Sequence, residues 1–228
     1  MDFDCAIFDL DGTLLDSMGV WDQIDIDFLA KRGIDVPDDY AIKINRMRSS
    51  EIAVYTIRRF HLKDKPEDLV QEWIDMAMDA YASRLPLKEG VFTYVRGLYE
   101  RGIPMAVATS SDRALVLPAL KRTGILPMMK AVVTSDDVRA DKGTPEIYRY
   151  ALARINEATG RTGDTRIQPA ACVVFEDILE GVQGAKAGGF RAVGVYDQRN
   201  RKNEEAIRAA SDRYIRSFTE LSSDENLF

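Results

Sequence analysis

The sequence predicts an α/β fold, a doubly wound parallel sheet of Rossmann-like type carrying an all-helical insertion, and three observations support that expectation. Short apolar runs recur at residues 5–8, 105–108, 131–133, 172–175 and 192–195, each followed by a polar residue or tyrosine and then a turn. Strands covered on both faces read as continuous apolar runs, whereas strands with one wet face alternate. Helix-length segments with apolar residues three or four apart lie between the runs, and right-handed crossovers then place helices on both faces of the sheet. One interval, residues 17–87, breaks the alternation: it carries helical periodicity and no strand pattern.

Taken in order, the first strand covers residues 5–8 and turns at Gly12. The helical insertion follows. Its last helix has Pro66 in the first turn, Glu67 and Asp68 beside it to oppose the macrodipole, and an apolar stripe of Leu69, Val70, Trp73, Met76, Ala77 and Tyr81. The chain returns near Lys88, and linkers at Ser17 and Lys88 allow the insertion to hinge over the carboxyl ends of the strands, where open α/β sheets bind ligands. The expected division is therefore residues 1–16 plus 88–228 as the core and 17–87 as the inserted domain. Val91, Tyr94, Val95 and Leu98 mark one core helix, Leu115, Leu117 and Leu120 another, and Pro145 with Glu146 starts a third. Residues 157–166 read as an exposed loop, Arg199, Arg201 and Lys202 as a solvated basic patch, and the tail after Asp224 as frayed.

The 228 residues suffice for one large domain or a core with a smaller companion. Hydrophobic residues at 46% and charged residues at 30% exclude a disordered or fibrous chain. A formal charge of −6 without a basic run disfavours nucleic acid and anionic membranes as partners. No apolar stretch reaches membrane-spanning length, Cys5 and Cys172 read as buried free thiols in a reducing compartment, and the cytoplasm is the expected location.

Four strand ends carry chemistry. Residues two apart in an extended chain face the same side, so Asp9 and Asp11 can share one small volume, and Gly12 lets the chain turn away without blocking it. Two carboxylates so close need a cation or proton between them. Thr109, with Ser110 and Ser111 after it, brings a hydroxyl and backbone amides that suit phosphate oxygens. Lys142 precedes a helix start and can neutralise a nucleophile or a transferring phosphoryl group. Glu176 and Asp177 end a wholly apolar strand, more charge than a buried strand end tolerates without a hard cation. Oxygen ligands without nearby His or Cys favour Mg²⁺ over zinc or copper.

The order Asp9-x-Asp11-Gly12-Thr13, Thr109, Lys142 and Glu176-Asp177 resembles the haloacid dehalogenase superfamily of phosphohydrolases, in the branch with a helical cap after the first strand, akin to phosphoglycolate phosphatases and β-phosphoglucomutases. The resemblance implies a Mg²⁺-dependent phosphatase of small phosphorylated metabolites working through an aspartyl-phosphate. It makes Asp9 the nucleophile and a metal ligand. Asp11 becomes the acid that protonates the leaving alcohol and then the base toward water, its backbone carbonyl also reaching the metal. Thr109, Ser110 and Lys142 hold phosphoryl oxygens, Asp177 ligates Mg²⁺, and Glu176 does so directly or through water. In the cap, Arg46 and Arg48 fall where similar proteins place specificity residues and can clamp a second anionic group, and the cap composition suggests a modest pocket with polar and cationic lining; Trp21 can line the pocket or pack the cap, and packing is the expected role. Gly143 replaces the proline that commonly follows this lysine, which loosens the backbone there. The mutase relatives carry a cap histidine near the place of Trp21, whereas the single histidine here is His61, deep in the cap. A sugar-phosphate mutase and a non-catalytic phosphoacceptor module remain the alternatives, and repeated turnover of esters separates the second from an enzyme. A monomer or weak homo-oligomer is expected.

Overall fold

The computed structural model describes residues 3–44, 47–138, 142–221 and 227. Six strands form one sheet in the order β3-β2-β1-β4-β5-β6: β1 (Cys5–Phe8), β2 (Met105–Thr109), β3 (Met129–Thr134), β4 (Cys172–Glu176), β5 (Arg191–Val195) and β6 (Arg213–Ile215). Every pairing is parallel. The five apolar runs are the first five strands. Strand β6 escaped the sequence reading because it is three residues long and half polar on an edge.

The sheet is covered on both faces, and the pleat sorts its side chains strictly. Ala6, Phe8, Met105, Val107, Val173 and Phe175 point into one core, where Phe8 stacks on its register partner Phe175 at 4.7 Å. Cys5, Ile7, Ala106, Ala108, Cys172 and Val174 point into the other. Both cysteines are buried and free, opposite each other in the β1–β4 ladder. The first core is closed by α5 (Val91–Glu100) and α6 (Arg113–Arg122), the second by α8 (Glu146–Ala158), α9 (Leu179–Ala187) and α10 (Glu204–Ala210), while α7 (Ser135–Val138) is a single turn after β3. Helix α8 ends at Ala158, and the expected loop beyond it holds only a 3₁₀ turn at Gly163–Thr165. The tail beyond Asp224 falls outside the described residues apart from Leu227, which is buried.

Between β1 and α5 the chain forms α1 (Met18–Ala30), α2 (Tyr40–Ile44), α3 (Ser49–Phe60), α4 (Pro66–Asp79) and a π-turn at Ala80–Arg84. Leu69, Trp73 and Ala77 of the α4 stripe are buried, and Phe28 of α1 meets Trp73 edge-on at 5.3 Å. The segment leaves and re-enters through paired strands of linker: Leu15 bridges Leu87, the Asp16 amide donates to Pro86, and the Lys88 amide donates to Leu14 at 2.9 Å. The Lys88 ammonium then donates to the carbonyls of Gly12, at 2.7 Å, and Tyr196 and pairs with Asp197 at 3.1 Å, tying the return linker to the loops after β1 and β5. The inserted helices rest on the core through α6, where Arg122 donates to the carbonyls of Tyr81 and Leu85.

Candidate active site

The order of the strands reverses at β1, which sits between β2 and β4, and the site lies at the carboxyl ends of these three. The ladder extends one residue past β1, with the Asp9 amide donating to Phe175 at 3.0 Å, so the main chain that carries Asp9 is held by the sheet. The chain then turns through Gly12, whose φ of +83° is a left-handed conformation, and a Cβ there would lie 2.3 Å from Asp177 Oδ2. Glycine is required at this position on both counts.

Asp9, Glu176 and Asp177 come together, with ligand oxygens all within 4.8 Å of one another, and all three are buried. Lys142 is buried against them, paired with Asp9 Oδ1 and, at 2.9 Å, with Glu176 Oε1. Tyr148 of α8 donates to Glu176 Oε1 at 2.8 Å, and Asn200 donates to Asp177 Oδ2 at 2.7 Å. A Cβ on Gly181 would stand 2.4 Å from the Glu176 carboxyl carbon, so the absence of a side chain in α9 makes room for this carboxylate.

The electrostatics follow from burial and from an excess of acids over bases. Burial, opposed by Lys142 and reinforced by Glu176, pushes the Asp9 carboxyl up to about 7. Burial and then the neighbouring Asp9 and Glu176 raise Asp177 well above the ordinary carboxylate range. Burial opposes the charge on Lys142, but Asp9 and Glu176 together outweigh it and hold the ammonium above the usual lysine value. Asp9 Oδ2 and Glu176 Oε2 are buried without a hydrogen-bond partner. Buried anionic oxygens without a partner are costly unless a cation joins them. This all-oxygen donor set fits a hard divalent cation such as Mg²⁺. The Asp11 side chain is not among the ligand groups of this cluster.

Asp11 takes part in a different network. Ser111 Oγ donates to Asp11 Oδ2, the Tyr81 hydroxyl donates to Asp11 Oδ1, and the Trp21 indole N–H donates to the Tyr81 oxygen at 2.7 Å. Thr109, buried at the end of β2, accepts from the Ser111 amide at 3.0 Å, which orders the loop carrying Ser110 and Ser111.

These groups open onto a cavity of about 160 Å³ under the inserted helices. Its floor holds Asp9, Asp11, Thr109, Ser110 and Lys142. Its far wall is apolar, with Ile24, Ile44, Met47, Ile52, Trp73 and Ile74 among its residues. Among the described residues its cations are Lys142 and Arg199, and not the expected Arg48. Arg48 caps α3 and pairs with Glu51 at 2.9 Å; its neighbours Met47 and Ser49 line the cavity, and Arg46 lies outside the described residues. Arg199, read as part of a solvated patch, instead lines the cavity and pairs with Asp22 at 3.1 Å and Asp25 at 3.8 Å on α1. Burial, offset by Arg199, raises Asp25 to about 6. Trp21, expected to pack the cap, both packs and lines the cavity.

Sequence reasoning missed Tyr148, Asn200, Arg199 and Tyr81. The polar run after β5, Asp197-Gln198-Arg199-Asn200, was the available signal for two of them, because it marks a fifth strand end on the same edge of the sheet. Tyr148 and Tyr81 sit on helices and carry no local signal.

A family model described as haloacid dehalogenase-like hydrolase matches residues 6–195. The chain is 30% identical over 193 residues to a fructose-1-phosphate phosphatase of Escherichia coli (strain K12), covering 83% of this chain and 94% of that protein. It is 28% identical over 192 residues to a bifunctional riboflavin kinase/FMN phosphatase of Arabidopsis thaliana, covering 84% of this chain and 48% of that protein, so it spans about half of that longer relative. The CbbY protein of Rhodobacter sphaeroides, solved in complex with phosphate, superposes with a TM-score of 0.81 at 24% identity, covering 96% of each chain.

Proposed function

The chain belongs to the haloacid dehalogenase-like hydrolases, and from that premise we propose that it hydrolyses phosphate monoesters of small metabolites through an aspartyl-phosphate, with Mg²⁺ as cofactor. The observation that carries this reading is the buried meeting of Asp9, Glu176, Asp177 and Lys142 from three separate stretches of chain at one sheet edge. Phosphoryl transfer asks of a protein mainly positioning and charge neutralisation, and the cluster supplies both.

Asp9 attacks phosphorus with one carboxylate oxygen while the bond from phosphorus to the ester oxygen breaks. Lys142, Thr109 and the Ser110 backbone hold the phosphoryl oxygens, and Lys142 screens the repulsion between carboxylate and phosphate. Asp11 gives its proton to the departing alkoxide, then takes one from the water that attacks the acyl phosphate, which regenerates Asp9 and releases inorganic phosphate. Asp9, Asp177 and Glu176, with the Asp11 carbonyl, would hold Mg²⁺, which supplies charge neutralisation at the transferring phosphoryl group. Glu176 also has a positioning task, because its Oε1 holds Lys142 and is itself held by Tyr148.

The cavity bounds the substrate. The two cations that line it, among the described residues, are both paired with carboxylates, and the opposite wall is apolar. A compact monophosphate with an uncharged organic part fits this lining better than a bisphosphate or a phosphorylated carboxylic acid, which would carry further charge against apolar side chains. In the presence of Mg²⁺, purified protein should release phosphate from sugar or polyol monophosphates and from an activated aryl phosphate. Release from none of a broad panel, aryl phosphate included, would falsify the phosphatase reading. Preference for bisphosphates or phospho-acids would overturn the substrate assignment alone.

A further inference from the structure

We propose that Tyr81, locked by Trp21, is a positioning residue that aims the Asp11 carboxyl at the leaving oxygen and makes proton transfer depend on how the inserted helices are seated. The inference rests on the role given to Asp11 in the reading above. An indole nitrogen is only a donor, so Trp21 Nε1 at 2.7 Å takes the acceptor side of the Tyr81 oxygen and leaves its single proton for Asp11 Oδ1. With Oδ1 accepting from Tyr81, the proton that Asp11 delivers belongs on Oδ2, whose Ser111 hydroxyl partner rotates to accept it. The two rings meet edge-on at 6.0 Å, and Tyr81 is fully buried, so the phenol has little freedom to leave.

The location is as telling as the bonds. Trp21 lies in the first turn of α1, just past the outgoing linker, and Tyr81 lies in the π-turn just before the returning one. A π-helical turn is rare and is frequently found at functional sites. Both residues belong to the insertion, whereas the other hydroxyl on Asp11, from Ser111, belongs to the core loop after β2. Asp11 is therefore gripped from both sides of the cavity, and only one grip travels with the insertion.

The test compares leaving groups. An alkoxide needs its proton as it departs, whereas a nitrophenolate leaves readily without one, so loss of acid positioning should tell on the first and spare the second. Wild type, Tyr81→Phe and Trp21→Phe are assayed with Mg²⁺ on an alkyl monophosphate that wild type turns over and on p-nitrophenyl phosphate. For Tyr81→Phe the expected result is a fall in kcat of about ten- to a hundredfold on the alkyl ester, with KM changed by no more than about twofold, and a fall of no more than about threefold on the aryl ester. Trp21→Phe, which keeps a ring and loses the N–H, should show a smaller selective loss in the same direction. Equal losses on both esters, or none on either, would overturn the proposal while leaving the phosphatase reading intact. If Tyr81→Phe lacks a cooperative thermal transition, the same comparison on Trp21→Phe decides. Wild type that releases phosphate from neither ester defeats the underlying reading and this inference with it.

Discussion

The floor and the far wall of the cavity are built on opposite principles. The floor gathers Asp9, Thr109, Lys142 and Asp177 at the ends of strands or ahead of a helix, all buried, with Glu176 buried behind them, and all but Thr109 are ionisable. The wall, from α1 to α4, presents Ile, Met and Trp side chains with a few donors among them. The difference teaches that reaction and selection are held by separate means. Under the proposed function, charges that handle phosphate are fixed at the edge of a hydrogen-bonded sheet, whereas the organic part of the substrate would meet a surface fixed by side-chain packing, which changes more readily with sequence.

The sharpest way to break this division is to remove a floor charge. Asp9→Asn should lower kcat by on the order of 10⁴-fold or more, because the amide is no nucleophile. Its thermal transition should stay at or above that of wild type, because an acid raised to about 7 by burial is one the fold holds ionised at a cost. Turnover near the wild-type rate would mean another nucleophile.

Withdrawing the cation tests the floor as a unit. Chelation should abolish phosphate release and added Mg²⁺ restore it. At about 100 times its Kd, Mg²⁺ should stabilise the fold by about 3 kcal/mol, a rise in Tm of roughly 5–10 °C. Asp177→Asn should lose most of that rise, and an unchanged shift would remove Asp177 from the binding site.

A subtler intervention reaches the floor from outside the cavity. Gly181→Ala places a Cβ against the Glu176 carboxyl and should cost about 1–3 kcal/mol of stability while lowering kcat through the displaced Lys142. Denaturant unfolding and kcat measured together check it; a stable, fully active variant would show that Glu176 does not govern the lysine.

The smallest effect belongs to the wall. Asp25 has its folded-state carboxyl raised to about 6 from an ordinary 3.8, so it contributes stability that is complete at low pH and is lost as pH rises from about 4 to about 6. Asp25→Asn should flatten that part of the stability profile and gain on the order of 2 kcal/mol at neutral pH, with kcat changed little. A profile that still falls across this window would place the buried charge elsewhere.

The outcome matches how information is laid along the chain. Asp9, Thr109, Glu176 and Asp177 were legible because they close apolar runs, Asp11 because it lies two residues past one beside Gly12, and Lys142 because it shortly precedes the Pro145-Glu146 helix start, local patterns that a one-dimensional reading can see. The helical character of residues 17–87 was legible from periodicity, and the Pro66 start of α4 from its first turn. Arg199 was misread because a basic residue in a loop looks the same whether it faces water or Asp22 and Asp25.

The sequence by itself determined the strands, their charged ends and the all-oxygen character of the cluster, since extended runs and turns depend on neighbours a few residues away. Only the tertiary structure decided that Tyr148 holds Glu176 across 28 residues, that Asn200 holds Asp177 across 23, and that Tyr81 reaches Asp11 across 70. Which partner a long side chain finds depends on how whole helices dock on the sheet. That docking is a sum over many packed apolar contacts, and no short stretch of sequence contains it.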